Sequence, residues 1–399
     1  MSTLKDLPAW IRLKRTDMVQ DLTAYVSQET PSDDKTLLTS GLNWVEQWLQ
    51  RRIGKPASRR LVDGGEWGDT LVLDYPAEDG TEGWITALCH YDTVWSAGTL
   101  RGWPATVDGD RFTGPGAFDM KGGLVQLVWA LMASRELGLP RPNVRLVLNG
   151  DEEVGSPSSR TVIEAEVVRG DAVLVFEASA GGALKTARKG VGIFQVSATG
   201  QEAHAGLDPE AGASAIDEIA RVIVQLHGET DFEKGTTVNV GLVRGGTRTN
   251  VKAGSATADI DVRVTSETEV QRINAVLDGL RAQNANATLG VSGDWNRPVM
   301  ARSAQTARLF AEAEHVADQL GFPLAETSVG GASDGNFAAA LGLPVLDGLG
   351  AVGDGAHARN EWISIDGMLE RTGLAAGLLA ALAGAPERSI ADAVGAAAG

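Results

Sequence analysis

Short apolar runs of strand length alternate with longer stretches of helical periodicity through the first half of the chain, and this alternation restricts the fold more than any other feature. Residues 70–75, 84–90, 144–148 and 172–176 read as strands, and residues 124–137 read as a helix. Strands interleaved with helices predict an α/β sheet with parallel strands. Ahead of them, residues 10–53 carry helical spacing broken by QETPSDDK around Pro31. After ARKG (187–190) the order changes. A strand at 193–198, a helix around 211–226, strands at 237–243 and 256–264, a helix near 267–281 and a strand near 287–293 spell β-α-β-β-α-β, the order of a ferredoxin-like α+β unit. The first pattern then resumes with a helix over 303–320, a Gly-rich loop, a strand at 344–346 and a helix from Ile365. The second unit is therefore expected as an insertion. Residues 1–187 and 300–399 would form one domain and residues 188–299 the other, with a mobile Ala/Gly-rich tail after about residue 385. A chain of 399 residues exceeds the single-core limit of about 250–300 residues, so two domains are the natural outcome.

Several of these strands end in polar groups that could bind a cation. In LVLNGDEEVGS (146–156) the apolar run stops at Gly150 and gives way to Asp151, Glu152 and Glu153. Two unit charges about 4 Å apart repel by roughly 4 kcal/mol at an effective dielectric near 20. Water answers that on an open surface; a cleft needs a raised pKa, a basic partner or a metal ion. ALCHYD places His90 and Asp92 at i and i+2, on one side of an extended chain. A cation on His90 would then find Asp92 hydrogen-bonding the ligand from behind. GPGAFDMKGG sets Asp119 between a Gly-rich turn and a helix start, VLVFEAS ends a strand with Glu177, and GDGAHARNE carries His357 in a loop beyond the last strand. Singly each is ordinary: H-x-D is common, and an Asp before a helix is usually a cap. Jointly they fit a site, because ligands of open α/β sheets gather at the carboxyl ends of the strands. Two histidines and three carboxylates suit two divalent ions bridged by one carboxylate.

The strings H90-Y-D92, G116-A-F-D119-M-K-G-G, D151-E-E-V-G-S, F176-E177 and G355-A-H357-x-x-N360-E resemble the M20 metallopeptidases, in particular their glutamate carboxypeptidases, and the resemblance spans nearly the whole chain. It implies a zinc-peptidase-like catalytic domain with an inserted ferredoxin-like lid and dimerisation domain. The implied activity is dizinc hydrolysis of an amide bond, releasing a C-terminal amino acid from a small peptide or N-acyl amino acid. An N-acyl-amino-acid deacylase or a dipeptidase is an alternative within the family, and a non-catalytic binding relative a distant one. Two Zn2+ per chain are implied, with Co2+ or Mn2+ as substitutes. His90, Glu177 and one oxygen of Asp119 would hold one ion; Glu153, His357 and the other oxygen of Asp119 would hold the second. The peptide bond between Asp119 and Met120 would be cis. Glu152 would take a proton from the water bridging both ions, which attacks the carbonyl, and deliver it to the leaving amine. Asp92 would assist from beside His90. In a homodimer joined through the lid, His204 of GQEAHAG would serve the partner's site as an oxyanion donor. Asn250 of RTNV and Arg263 of DVRV would contact the substrate carboxylate, the arginine through its two-pronged fork. Gly330 and Gly331 of VGGASDGN would line the substrate pocket, and Asp151 would serve only the turn.

A formal net charge of −17 argues against a nucleic-acid partner, though a local basic pocket can sit on an acidic protein. The single cysteine, Cys89, excludes an intramolecular disulfide and a Cys-rich zinc site. The opening MSTLKDLPAWIRLKR lacks the apolar region of a secretory signal, and no stretch approaches the roughly 20 apolar residues of a membrane span. A cytoplasmic protein without a membrane partner is expected.

Overall fold

A computed structural model describes residues 4–78 and 81–383; the tail expected after about residue 385 lies outside them. The chain divides into two compact units. One comprises Met1–Ala187, Arg302–Val329 and Ser333–Gly399, the other Arg188–Ala301 and Gly330–Ala332. Among the described residues no helix is long and apolar enough to cross a membrane.

The larger unit is built on a six-stranded sheet in the order Ser58–Val62, Thr70–Tyr75, Asn143–Asn149, Trp84–His90, Ala172–Val175, Val345–Leu346. The last four strands are mutually parallel. The expected parallel pairing does not extend to Thr70–Tyr75, which runs antiparallel to both of its neighbours. The turn over 63–69 that joins it to Ser58–Val62 is shorter than the dozen or so residues of a parallel crossover, so the two strands pair as a hairpin. All seven residues of Asn143–Asn149 are buried, which explains why such strands read as continuous apolar runs. Helix Gly122–Leu137 is buried from Gly122 through Ser134 and packs against Ile365–Ala383 and Lys35–Ile53. The last of these starts at Asp34, whose carboxylate accepts the amides of Thr36 and Leu37, each at 3.0 Å.

The pairing register sets up the site. His90 lies opposite Asn149 and Leu88 opposite Val175, so three parallel strands end nearly level. The residues that follow each strand, among them Asp92, Glu153 and Glu177, emerge along one edge.

The smaller unit is a four-stranded antiparallel sheet in the order Thr237–Gly245, Ser255–Val264, Gly190–Thr199, Thr288–Arg297, with helices Ala215–His227 and Glu267–Asp278. This is the ferredoxin-like arrangement. Its first helix starts later than the sequence pattern suggests, because Ser214 caps the amide of Asp217. Residues Gly330–Ala332 belong to this unit, where Nη1 of Arg188 donates to the carbonyls of Gly331 and Ala332, each at 3.1 Å.

Candidate metal centre

His90 closes its strand with its side chain buried. Its Nδ1 lies 3.0 Å from the carbonyl oxygen of Asp92. A carbonyl only accepts, so Nδ1 carries the proton and Nε2 faces the carboxylates. That nitrogen is 3.3 Å from Oδ1 of Asp119 and 3.4 Å from Oε1 of Glu177. The other oxygen of Asp119, Oδ2, is 3.4 Å from Nε2 of His357, which in turn is 3.1 Å from Oε2 of Glu153. Two sets of possible metal ligands result, His90–Asp119–Glu177 and Asp119–Glu153–His357, each with its ligand atoms within 4.8 Å of one another. Asp119 belongs to both.

These separations test whether an ion fits. Tetrahedral coordination with bonds of about 2.0–2.1 Å places neighbouring ligand atoms about 3.3–3.4 Å apart. Oε1 of Glu153 adds a second sign, being buried without a hydrogen-bond partner. The donor set of imidazole and carboxylate is one that zinc and similar divalent ions take. Metal-free, the site retains protons. Asp119 and Glu153 raise the pKa of His357 to about 10. Burial and the charge of Asp119 push Glu153 up to about 7. Burial opposes ionisation of both His90 and Asp119, but their neighbours prevail: Asp119, Asp92 and Glu177 hold His90 well above its ordinary value, while His357 and His90 hold Asp119 below the carboxylate range.

Several local features set this geometry. The peptide bond between Asp119 and Met120 is cis, as the resemblance implies. Gly123 permits close approach behind it: a Cβ there would stand 1.9 Å from the carbonyl oxygen of Phe176, the residue before Glu177. Asp92 is buried and accepts from Ser32 Oγ at 2.8 Å and from the amides of Glu152 and Glu153 at 3.3 and 3.2 Å. It thus touches His90 and holds the acidic turn Glu152–Val154. Glu152 stands on that turn, half-buried. Asp151 is buried, its Oδ2 accepting from Ser158 and Ser159, so its work is to shape the turn.

The sequence reading passed over three groups. Asp334 accepts from Asn149 Nδ2 at 2.8 Å and Ser156 Oγ at 2.5 Å, clamping both ends of the acidic segment. Ser32 lies in the ETPS string without an assigned role. Glu361 sits in the string that includes His357, and its buried carboxylate accepts the amide of Asp119 at 3.1 Å. All three stand in strings quoted for other residues, and only that proximity could have pointed to them.

The remaining predicted residues lie in the smaller unit. His204 and Asn250 come together there: Ala205 donates to the carbonyl of Asn250 at 2.9 Å, and His204 pairs with Val251. Nδ1 of His204 accepts from the amides of Gly206 and Leu207, each at 3.1 Å, which leaves the proton on an exposed ring at Nε2. Arg263 already grips a carboxylate, with Nε 2.9 Å from Oδ1 and Nη2 2.8 Å from Oδ2 of Asp261. Gly330 and Gly331 are exposed, and among the described residues nothing within 4 Å would obstruct a Cβ at either.

The chain is 29% identical to carboxypeptidase G2 of Pseudomonas sp. (strain RS-16) over 370 residues, 91% of this chain and 88% of that one. It is 29% identical to acetylornithine deacetylase of Myxococcus xanthus over 204 residues, 48% of this chain and 51% of that one. A tripeptidase of Staphylococcus aureus shares the fold, with a TM-score of 0.79 at 20% identity over 92% of this chain and 98% of that one. Residues 88–381 match the family as a whole, and the chain belongs to peptidase family M20/M25/M40.

Proposed function

We propose that this member of a hydrolase family uses two zinc ions to cleave an amide bond and release a C-terminal amino acid, glutamate in type, from a small peptide or N-acyl conjugate. The observation that carries this is the pair of three-residue ligand sets sharing Asp119, with Glu152 next to Glu153 on the turn that Asp92 holds. His90, Glu177 and Asp119 would hold one ion, and Glu153, His357 and Asp119 the other. Bound zinc supplies Lewis acidity, which lowers the pKa of water and polarises a carbonyl. Glu152 takes the proton of the attacking water as its oxygen bonds to carbon, then delivers that proton to the amine as the C–N bond breaks. Asp92 keeps the proton of His90 on Nδ1, leaving Nε2 free to bind the ion.

In this reading the larger unit is the catalytic domain and the smaller unit, residues 188–301 with 330–332, the lid. Arg263 and Asn250 read the substrate's carboxylate, with Asp261 holding the guanidinium until substrate takes its place, and Gly330 and Gly331 line the pocket. The carboxypeptidase reading draws support from the similarity to carboxypeptidase G2 along 91% of the chain, and the glutamate preference from the resemblance of the motifs. Similarity to acetylornithine deacetylase over a shorter stretch favours deacylation of an N-acyl amino acid as the second reading. A homodimer through the lid is supported by its edge strand Thr237–Gly245, which pairs on one side only among the described residues and exposes Leu242 and Val243.

The test is metal analysis followed by turnover on N-acyl-glutamates, other N-acyl amino acids and dipeptides, each as free acid and C-terminal amide. Two ions per chain and preferred cleavage of the glutamate free acid are expected, with the acid preference lost in Arg263→Ala. Full activity in chelator without bound metal refutes the mechanism. Equal cleavage of acid and amide by the unaltered enzyme refutes the carboxylate-reading role.

A further inference from the structure

The carboxylate of Glu361 has no part in the reaction just described, yet its side chain is buried at 0% exposure and accepts four hydrogen bonds. Oε1 takes the amides of Phe118 at 2.8 Å and Asp119 at 3.1 Å; Oε2 takes the amide of Gly116 at 3.0 Å and the indole Nε1 of Trp95 at 2.9 Å. A carboxylate is costly to bury unless its lone pairs are filled, and here they are. Burial pulls the pKa of Lys121, two residues beyond Asp119, down to about 7, and the charge of Glu361 opposes that pull. Between Gly116 and Asp119 the chain turns three amides onto this one side chain, so Glu361 acts as an internal anion around which that segment is wrapped.

Two consequences bear on the ligand sets. The amide of Asp119 is among those held, and Asp119 is the residue the two sets share. Glu361 also closes the loop of His357, its own amide donating to the carbonyl of Ala358 at 2.9 Å while that of Ala358 donates to Gly355 at 2.9 Å. A single residue thereby fixes the shared carboxylate and the loop of another ligand without being a ligand itself.

We propose that Glu361 is the positioning residue for both ion sites at once, acting through the backbone of Asp119 and the loop of His357. This rests on the two-ion reading above. Glu361→Gln keeps the shape but replaces one accepting oxygen with an NH2 group, which must face N–H donors. Partners of this kind typically contribute 10–100-fold to metal affinity. Competitive zinc titration of Glu361→Gln, at a temperature where the metal-free variant is folded, should show both ions weakened together, about 10–100-fold each. Glu153→Gln, which alters a ligand of one set only, should weaken chiefly one ion. Trp95→Phe removes a single donor and should weaken both ions together by a smaller factor, so it decides the matter if Glu361→Gln does not fold. A folded Glu361→Gln with unaltered affinity, or with one ion weakened and the other untouched, overturns the proposal. So does unaltered affinity in Trp95→Phe where that variant decides. Unaltered protein that takes up no zinc, or a single ion, overturns the two-ion reading and this proposal with it; two ions in the unaltered protein with no effect in Glu361→Gln overturns this proposal alone.

Discussion

In metal-free protein the imidazole of His357 has a pKa of about 10, because carboxylates of Asp119 and Glu153 face its Nε2. In an unfolded chain it would titrate near about 6.5. The proton therefore stabilises the fold fully below about pH 6.5, and that contribution is lost as pH rises through about 10. Urea unfolding of metal-free wild type and His357→Ala, from about pH 6 to about pH 10, should show the stability gap between them narrowing with rising pH. A gap that widens would show that the proton is not held this way. Zinc should reverse the trend, since binding displaces the same protons. The five ligand candidates were legible because each stands just beyond an apolar run or in a Gly-rich loop beside one. Glu361 was not. Its acceptors serve backbone amides up to 245 positions away, and a backbone amide has no sequence signature.

At the scale of elements, the active edge depends on how closely helix Gly122–Leu137 approaches the end of strand Ala172–Val175. Gly123→Ala would drive a Cβ into the carbonyl oxygen of Phe176, a backbone atom that cannot swing aside. Overpacking of this sort costs about 1–3 kcal/mol, and relief requires moving either the segment of Asp119 or that of Glu177. The expected outcome is a lower urea midpoint together with weaker zinc binding. A fully stable variant with normal zinc affinity would show that the approach is not constrained. Strand positions in this unit were readable from continuous burial, but strand direction was not. The antiparallel course of Thr70–Tyr75 is decided by the length of the turn before it. Thr106–Asp108 and Arg111–Thr113 escaped notice because three-residue strands, with Phe112 the one buried position, carry no periodicity.

For the whole molecule, the decisive question is whether sites are completed across a dimer. His204→Ala should lower kcat by about 10²–10³ if its Nε2–H is an oxyanion donor, and Glu152→Gln by about 10²–10⁴ as a general base. If His204 of the partner subunit serves each site, mixing the two variants regenerates activity, since a hybrid dimer keeps one site with both groups intact. Verified hybrids as inactive as either parent would confine His204 to its own chain or remove it from the reaction. The ferredoxin-like order was legible because the change from continuous to alternating burial, seen along Ser255–Val264, is written into the side chains. That Gly330–Ala332 would pack with that unit was not, because three small residues carry no pattern and Arg188 reaches them through their carbonyls.

That short return has a consequence for how such a unit can be inherited or transplanted. The chain passes between its two units at 187/188, 301/302, 329/330 and 332/333. A cassette exchanged at the first two junctions alone would carry Arg188 away from the carbonyls of Gly331 and Ala332. Chimaeras made by swapping residues 188–301 between relatives should therefore need a compatible arginine in the donor, or the tripeptide 330–332 moved along with it. Distant in sequence, the two pieces form one heritable module.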